Sequence, residues 1–288
     1  MKKIFFSCII AVLSGFLLAG CSSESCREHD PHSIETTSQP FTERNVEKSD
    51  STYIFDEAGL LSADDYSACN DYAGWLYKNK LINAAVITVD KLDGKSPYDY
   101  AAEKYNEKYE GKGSGLLVLI NNDTNEDVVY RTGSCLSEIS DKADKNAVYW
   151  ATKEIFGGSY RKGIMRLLQL GELCPSHIIN NAQVFDAESI SSFEKKLSDC
   201  KEDITLIATK NMSDASNESI LKAYYERKYT DKGIMVLLDI NSKSVTAYSA
   251  KKLPSGFEAA LKKANELTAK GENTAAVESL TEALKKIS

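Results

Sequence analysis

The sequence predicts a mixed α/β protein made of two tandem layered domains, each a sheet flanked by helices. Three observations predict it. The runs Leu116–Ile120 and Met235–Leu238 are short and continuously apolar, as strands covered on both faces are. Helical patterns alternate with the strand patterns through short connections, which packs helices onto a sheet. The elements of residues 53–173 recur in the same order from about residue 182 onward, which marks an internal repeat.

Structure is expected to begin near Tyr53, where Ile54-Phe55-Asp56 forms a short apolar step. Ser62-Ala63-Asp64-Asp65 reads as a capping box: the Ser oxygen accepts an early helix N–H, and the acidic charge suits a helix N-terminus. A helix follows over about 63–78, with Tyr66, Cys69, Ala73 and Leu76 near one face. Ala84–Val89 reads as a buried strand. Pro97 opens a second helix, with Tyr98, Ala101, Ala102, Tyr105 and Tyr109 at helical spacing. Gly111-Lys112-Gly113-Ser114-Gly115 breaks that helix ahead of the strand Leu116–Ile120. The polar turn Asn121–Asp127 and the return Val128–Tyr130 complete a hairpin. Helical patterns over 142–156 and 160–170 follow, separated by Gly157-Gly158.

The plan then restarts. Val184-Phe185-Asp186 echoes Ile54-Phe55-Asp56, and Ser191-Ser192-Phe193-Glu194 reads as a second capping box. Ile204–Ala208 replaces the first buried strand. Tyr224–Tyr229 replaces Tyr105–Tyr109, and Lys232-Gly233 with the apolar run after it replaces Lys112-Gly113 and its strand. Asn241–Ser244 turns, Val245–Tyr248 returns, and helices over about 255–270 and 274–286 close the chain.

Lys2 and Lys3, an apolar run to Leu18, and Leu18-Ala19-Gly20-Cys21 have the order of a secretory signal, and the run is short for a spanning helix. The ending resembles a bacterial lipobox, which implies a signal peptide over 1–20 and acylation of Cys21. Buried acyl chain contributes about 0.8 kcal/mol per CH₂, so the chain is expected on the extracytoplasmic face of a membrane, held by lipid. Residues 21–50 are rich in Ser, Thr and Glu, contain Pro31 and Pro40, and read as a flexible tether. The two domains are then expected over 51–175 and 180–288.

The formal net charge is −7, and processing removes two lysines more. That balance argues against nucleic acid and against electrostatic adhesion to anionic lipid. Three His residues (His29, His32 and His177) leave little room for imidazole chemistry. Beyond Cys8 in the signal and Cys21, the odd set Cys26, Cys69, Cys135, Cys174 and Cys200 matches no zinc spacing. A disulfide among Cys69, Cys135 and Cys174 is compatible with the spacing, and the sequence does not choose the pairing.

The first copy resembles the TPM domain. The resemblance rests on Phe55-Asp56, Gly59-Leu60-Leu61-Ser62, the Val86–Val89 strand, Tyr105 and Tyr109, and Gly115-Leu116-Leu117-Val118-Leu119. It continues through Thr132-Gly133, Asp141 and Tyr160-Arg161-Lys162-Gly163. The second copy resembles a divergent member that reads Ser249-Ala250-Lys251 in place of Thr-Gly. The resemblance implies a three-layer α/β/α sandwich and an acidic site that holds calcium in some members. It implies Asp56 and Asp141 as the metal ligands here. Ser114 stands where the family usually has Asn or Asp, and is a poorer ligand. Without an ion, Asp56 reads as the cap of a turn and Asp141 as the start of a helix.

Asp123–Asp127 begins like an EF-hand loop but has Val128 and Ser134 where that loop needs Gly and Glu, so it reads as a solvated turn. The Gly-rich break leads into a strand, whereas phosphate-cradling loops lead into a helix. Two functions follow from the resemblance. One is a non-catalytic binding, assembly or accessory factor for envelope or membrane proteins; the other is a calcium-dependent phosphatase acting on phosphomonoesters. A ligand-poor second copy favours the first.

Overall fold

The computed structural model describes residues 41, 43–109, 113–210 and 215–287. The signal peptide, Cys21, Cys26 and most of the expected tether lie outside the described residues. In the first unit β1 (Ile54–Asp56), β2 (Asn83–Val89) and β3 (Gly115–Asn121) run parallel, and β4 (Val128–Thr132) returns antiparallel, in the order β1-β2-β3-β4. In the second, β5 (Ile178–Asn180), β6 (Ile204–Thr209), β7 (Ile234–Asp239) and β8 (Ser244–Tyr248) repeat that order and those directions. The helices of the first unit are α1 (Ala63–Asn79), α2 (Pro97–Tyr109), α3 (Ser134–Glu138), α4 (Asp141–Phe156) and α5 (Tyr160–Leu168). Those of the second are α6 (Ala187–Ser198), α7 (Asn217–Lys228), α8 (Phe257–Ala269) and α9 (Asn273–Ile287).

Every residue of β2 and β3 is buried. Successive side chains point to opposite faces, so both faces need cover. Ala84, Val86, Leu116, Val118 and Ile120 pack with α1, α4 and α5; Ala85, Ile87, Leu117 and Leu119 pack with α2. The second sheet is layered alike, with α6, α8 and α9 on one face and α7 on the other. Each unit is therefore an α/β/α sandwich.

Local chemistry sets the helix starts. Ser62 caps α1 by accepting the Asp65 N–H at 3.2 Å, as the capping box predicts. The second capping box is misplaced: Asp186, not Ser191, caps α6, accepting the Ser189 N–H at 2.7 Å. The echo of Asp56 in Asp186 is likewise corrected. Asp56 pairs with Thr88, and Asn180 pairs with Ala208. After each, the second residue on donates its N–H to that partner's carbonyl: Ala58 to Thr88 and Ala182 to Ala208. Asn180 is thus the counterpart of Asp56, and Asp186 that of Ser62. The shared Phe-Asp dipeptide sets the two halves out of register, and the strand pairing corrects it. The same pairing sets Gly233 opposite Gly115 rather than Gly113.

Aligned this way, both units hold three tyrosines at matching places. Tyr105 touches Tyr109 and Tyr130, and Tyr225 touches Tyr229 and Tyr248, with ring centroids 4.9–5.4 Å apart. Two further differences from expectation concern the first unit. Short α3 has no periodicity to betray it, and the last helix tightens into a 3-10 turn over Gln169–Leu173. The expected tether also ends early, since Phe41 and Val46 pack against the first core and Arg44 pairs with Glu172 at 2.9 Å.

A Cβ on Gly115 would overlap the Asn83 carbonyl and the Tyr105 hydroxyl. Gly115→Ala is expected to lower stability by about 3 kcal/mol in urea unfolding, because the neighbouring backbone of β2 cannot yield.

Candidate functional site: the seam between the two units

The two carboxylates named as metal ligands are not brought together. Asp56 ends β1, level with Thr88 and Ile120. Its oxygens accept the N–H groups of Leu60 and Leu61, each at 2.9 Å, and the Thr88 hydroxyl. Asp141 opens α4, is half exposed, and pairs with Arg131 at 3.2 Å. Arg131 lies opposite Leu116, near the start of β3. The two sites thus differ by four residues along the strands, about 13 Å, and by three strand spacings, about 14 Å. Asp56 and Asp141 do not fit a shared calcium ion, and among the described residues no group of three His, Cys, Asp or Glu side chains could hold a metal. Their local roles are those of a turn cap and a helix start.

The Asp123–Asp127 turn is closed on itself. Asn121 accepts the N–H groups of Asp123 and Thr124 and donates to the Glu126 carbonyl, while Asp127 accepts the Asn121 N–H at 3.3 Å. Burial pushes the Asp127 carboxyl above its ordinary range, against hydrogen bonds from Asn121 and Thr152.

The polar side chains that do converge lie where the units meet. Gly133 turns at φ 58°, and a Cβ there would sit 2.7 Å from the Cα of Ser114, so Thr132-Gly133 needs glycine at its second place. That turn delivers the start of α3 to Ser114, whose Oγ accepts the Ser134 N–H at 2.7 Å and donates to Asn181 of the second unit. Ser134 Oγ in turn accepts the Asn180 N–H at 2.9 Å. Ser114, Ser134 and Asn180 are each buried. The position that the family resemblance marks for a ligand therefore holds the second unit.

Beside this polar seam lies an apolar and cationic one. Leu81 follows α1 at φ 53° and is buried, packed with Ile179, Ile207, Leu221, Met235 and Leu237 of the second sheet. Arg227 of α7 lies 3.4 Å from the centroid of the Tyr77 ring and donates to the Tyr77 carbonyl at 2.6 Å. Burial pulls its guanidinium below the ordinary value, but an arginine remains charged. The connection between the units is clamped as well. Glu194 accepts the N–H groups of Ser176, His177 and Ile178 at 2.7–3.0 Å. Lys80 donates to the Cys174 carbonyl at 2.7 Å and Lys228 to the Ser176 carbonyl at 2.6 Å. The sequence places Ser114, Glu194 and Arg227 in other patterns and gives no sign of Leu81 or Asn181. A lone Leu after a helix and an Asn after a strand have no signature.

Residues 54–168, within the first sandwich, match the family model of the TPM domain. Among solved structures, the chain is similar to the N-terminal domain of a protein from P. gingivalis, at 19% identity and a TM-score of 0.39, over 43% of this chain and 83% of that one. It is also similar to the N-terminal domain of a Corynebacterium glutamicum protein, at 15% identity and a TM-score of 0.36, over 47% of this chain and 90% of that one. A third similar structure is the BA42 protein from Bizionia argentinensis, at 16% identity and a TM-score of 0.35, over 44% of this chain and 90% of that one. No curated protein matches the sequence.

Leu81→Ala should cost about 3 kcal/mol, the range for a buried Leu, and should broaden or split the urea transition as the units uncouple. Asp127→Asn should behave oppositely. A carboxyl whose folded pKa is raised costs stability once pH exceeds that value. The variant should therefore gain stability at neutral pH, with the gain fading as pH falls to about 4, followed by thermal melts across that range.

Proposed function

We propose that this is a lipid-anchored, extracytoplasmic TPM-domain protein that serves as a non-catalytic binding, assembly or accessory factor for envelope or membrane proteins. The anchor rests on Lys2, Lys3, the apolar run and Leu18-Ala19-Gly20-Cys21. Among the described residues no helix is long and apolar enough to cross a membrane. The non-catalytic reading rests on one observation above all: the Ser114 hydroxyl, at the place of the expected ligand, is bonded to Ser134 and to Asn181 of the second unit. A phosphoryl-transfer site needs an ion or cation clamp open to substrate, and Asp56 is bonded to its own loop. We further read the second sandwich as a divergent TPM-like copy. Its strand order and tyrosine trio support that, and Asn180 in place of Asp56 marks the divergence.

Membrane fractionation tests the anchor: Cys21→Ala should leave the chain unacylated and shift it out of the lipoprotein fraction, and unchanged acylation would refute it. Turnover of p-nitrophenyl phosphate by the purified body tests the second half. Hydrolysis is expected at background with and without calcium, and an ordinary enzymatic rate lost in Asp56→Ala would establish the phosphatase instead.

A further inference from the structure

We propose that Cys135 and Cys174 form a disulfide that staples the connection between the units to α3 at the seam. Their Sγ atoms lie 3.3 Å apart, both buried, 39 residues apart in the chain. A bond of about 2.05 Å requires an approach of little more than one ångström. Cys135 follows Ser134, which bonds both Ser114 and Asn180. Cys174 ends the 3-10 turn, immediately before Pro175, and its carbonyl takes the Lys80 ammonium. The bond would therefore fix the chain just where it leaves the first unit for β5.

The pairing is selective. Among the described residues, Cys69 lies in the first core and burial pushes its thiol up to about 12. Cys200 belongs to the second unit, where its thiol points to the Lys196 carbonyl. Only Cys135 and Cys174 are in contact with each other among these four. Burial also pushes the Cys135 thiol up, so Cys135 is a poor nucleophile in the folded protein. The oxidant is a disulfide, small or protein-borne. Cys135 thiolate attacks it and expels one thiol. Cys174 thiolate then attacks the mixed disulfide and expels the second, so two protein thiols are oxidised as one disulfide is reduced to two thiols.

The proposal rests on the extracytoplasmic reading for its oxidising setting, and the test separates the two. Full-length protein from its own membranes is alkylated without reduction and mapped by mass spectrometry. A second sample is denatured, reduced, and refolded in a glutathione redox buffer. Both should yield a linked peptide containing Cys135 and Cys174, lighter than the dithiol form by two hydrogens. Melting should fall by roughly 5–10 °C on reduction. Cys135→Ala, Cys174→Ala and the double variant should melt alike and ignore reductant, while Cys69→Ser keeps the response. A bridge in the refolded sample with free thiols in the cellular one supports the pair and overturns the extracytoplasmic setting. Free alkylated thiols at both positions in both samples, or either cysteine bridged elsewhere, overturn the proposal.

Discussion

A sheet whose central strands are buried on both faces must be covered on both, and that requirement ties the two halves of this chain together. In the first unit, α2 meets it with Tyr100, Ala101 and Tyr105 buried against β2 and β3. In the second, α7 buries only Leu221 and Tyr225. The cover is completed by Leu81 of the first unit. Burying a Leu is worth about 1.5–3 kcal/mol, enough to offset the roughly 1–2 kcal/mol that a left-handed backbone costs a residue with a Cβ.

The polar groups at the seam follow from the same closure. Once Leu81 and α7 are in place, the starts of β3 and α3 face the end of β5, and their N–H groups lose water. Buried amides need partners. Ser114 takes that of Ser134, Ser134 takes that of Asn180, and Glu194 takes three from the connection. The Tyr77 ring and carbonyl receive Arg227, and a cation on a ring is worth up to about 2 kcal/mol when desolvated.

Much of this fold could be read from periodicity. The strand runs, the Ser62 cap, the helix opened by Pro97 and the order of elements all have signals that span several residues. What failed were readings that hung on two or three residues. Phe185-Asp186 resembled Phe55-Asp56, yet the register is set by which carbonyl each loop N–H reaches, and that placed Asn180 at the Asp56 position. Ser191–Glu194 has the composition of a capping box, yet lies within α6, because Asp186 supplied the earlier cap. The seam was illegible for a related reason. Its members are single residues in or beside β3, α3, β5, α1 and α7, and nothing local distinguishes a serine that bonds another domain from one that faces water.

The two units are alike in plan but differ at the end that forms the seam. In the paired registers, Ser114 corresponds to Lys232, and the step through Gly133 and Ser134 to Lys251 and Lys252. All three lysines are exposed. The second unit also has no helix between β8 and α8 to match α3 among its described residues. Those lysine positions carry ammonium groups where the first unit offers hydroxyls and a helix start. The first unit's end is thus covered by the second, whereas the matching end of the second unit is charged and exposed.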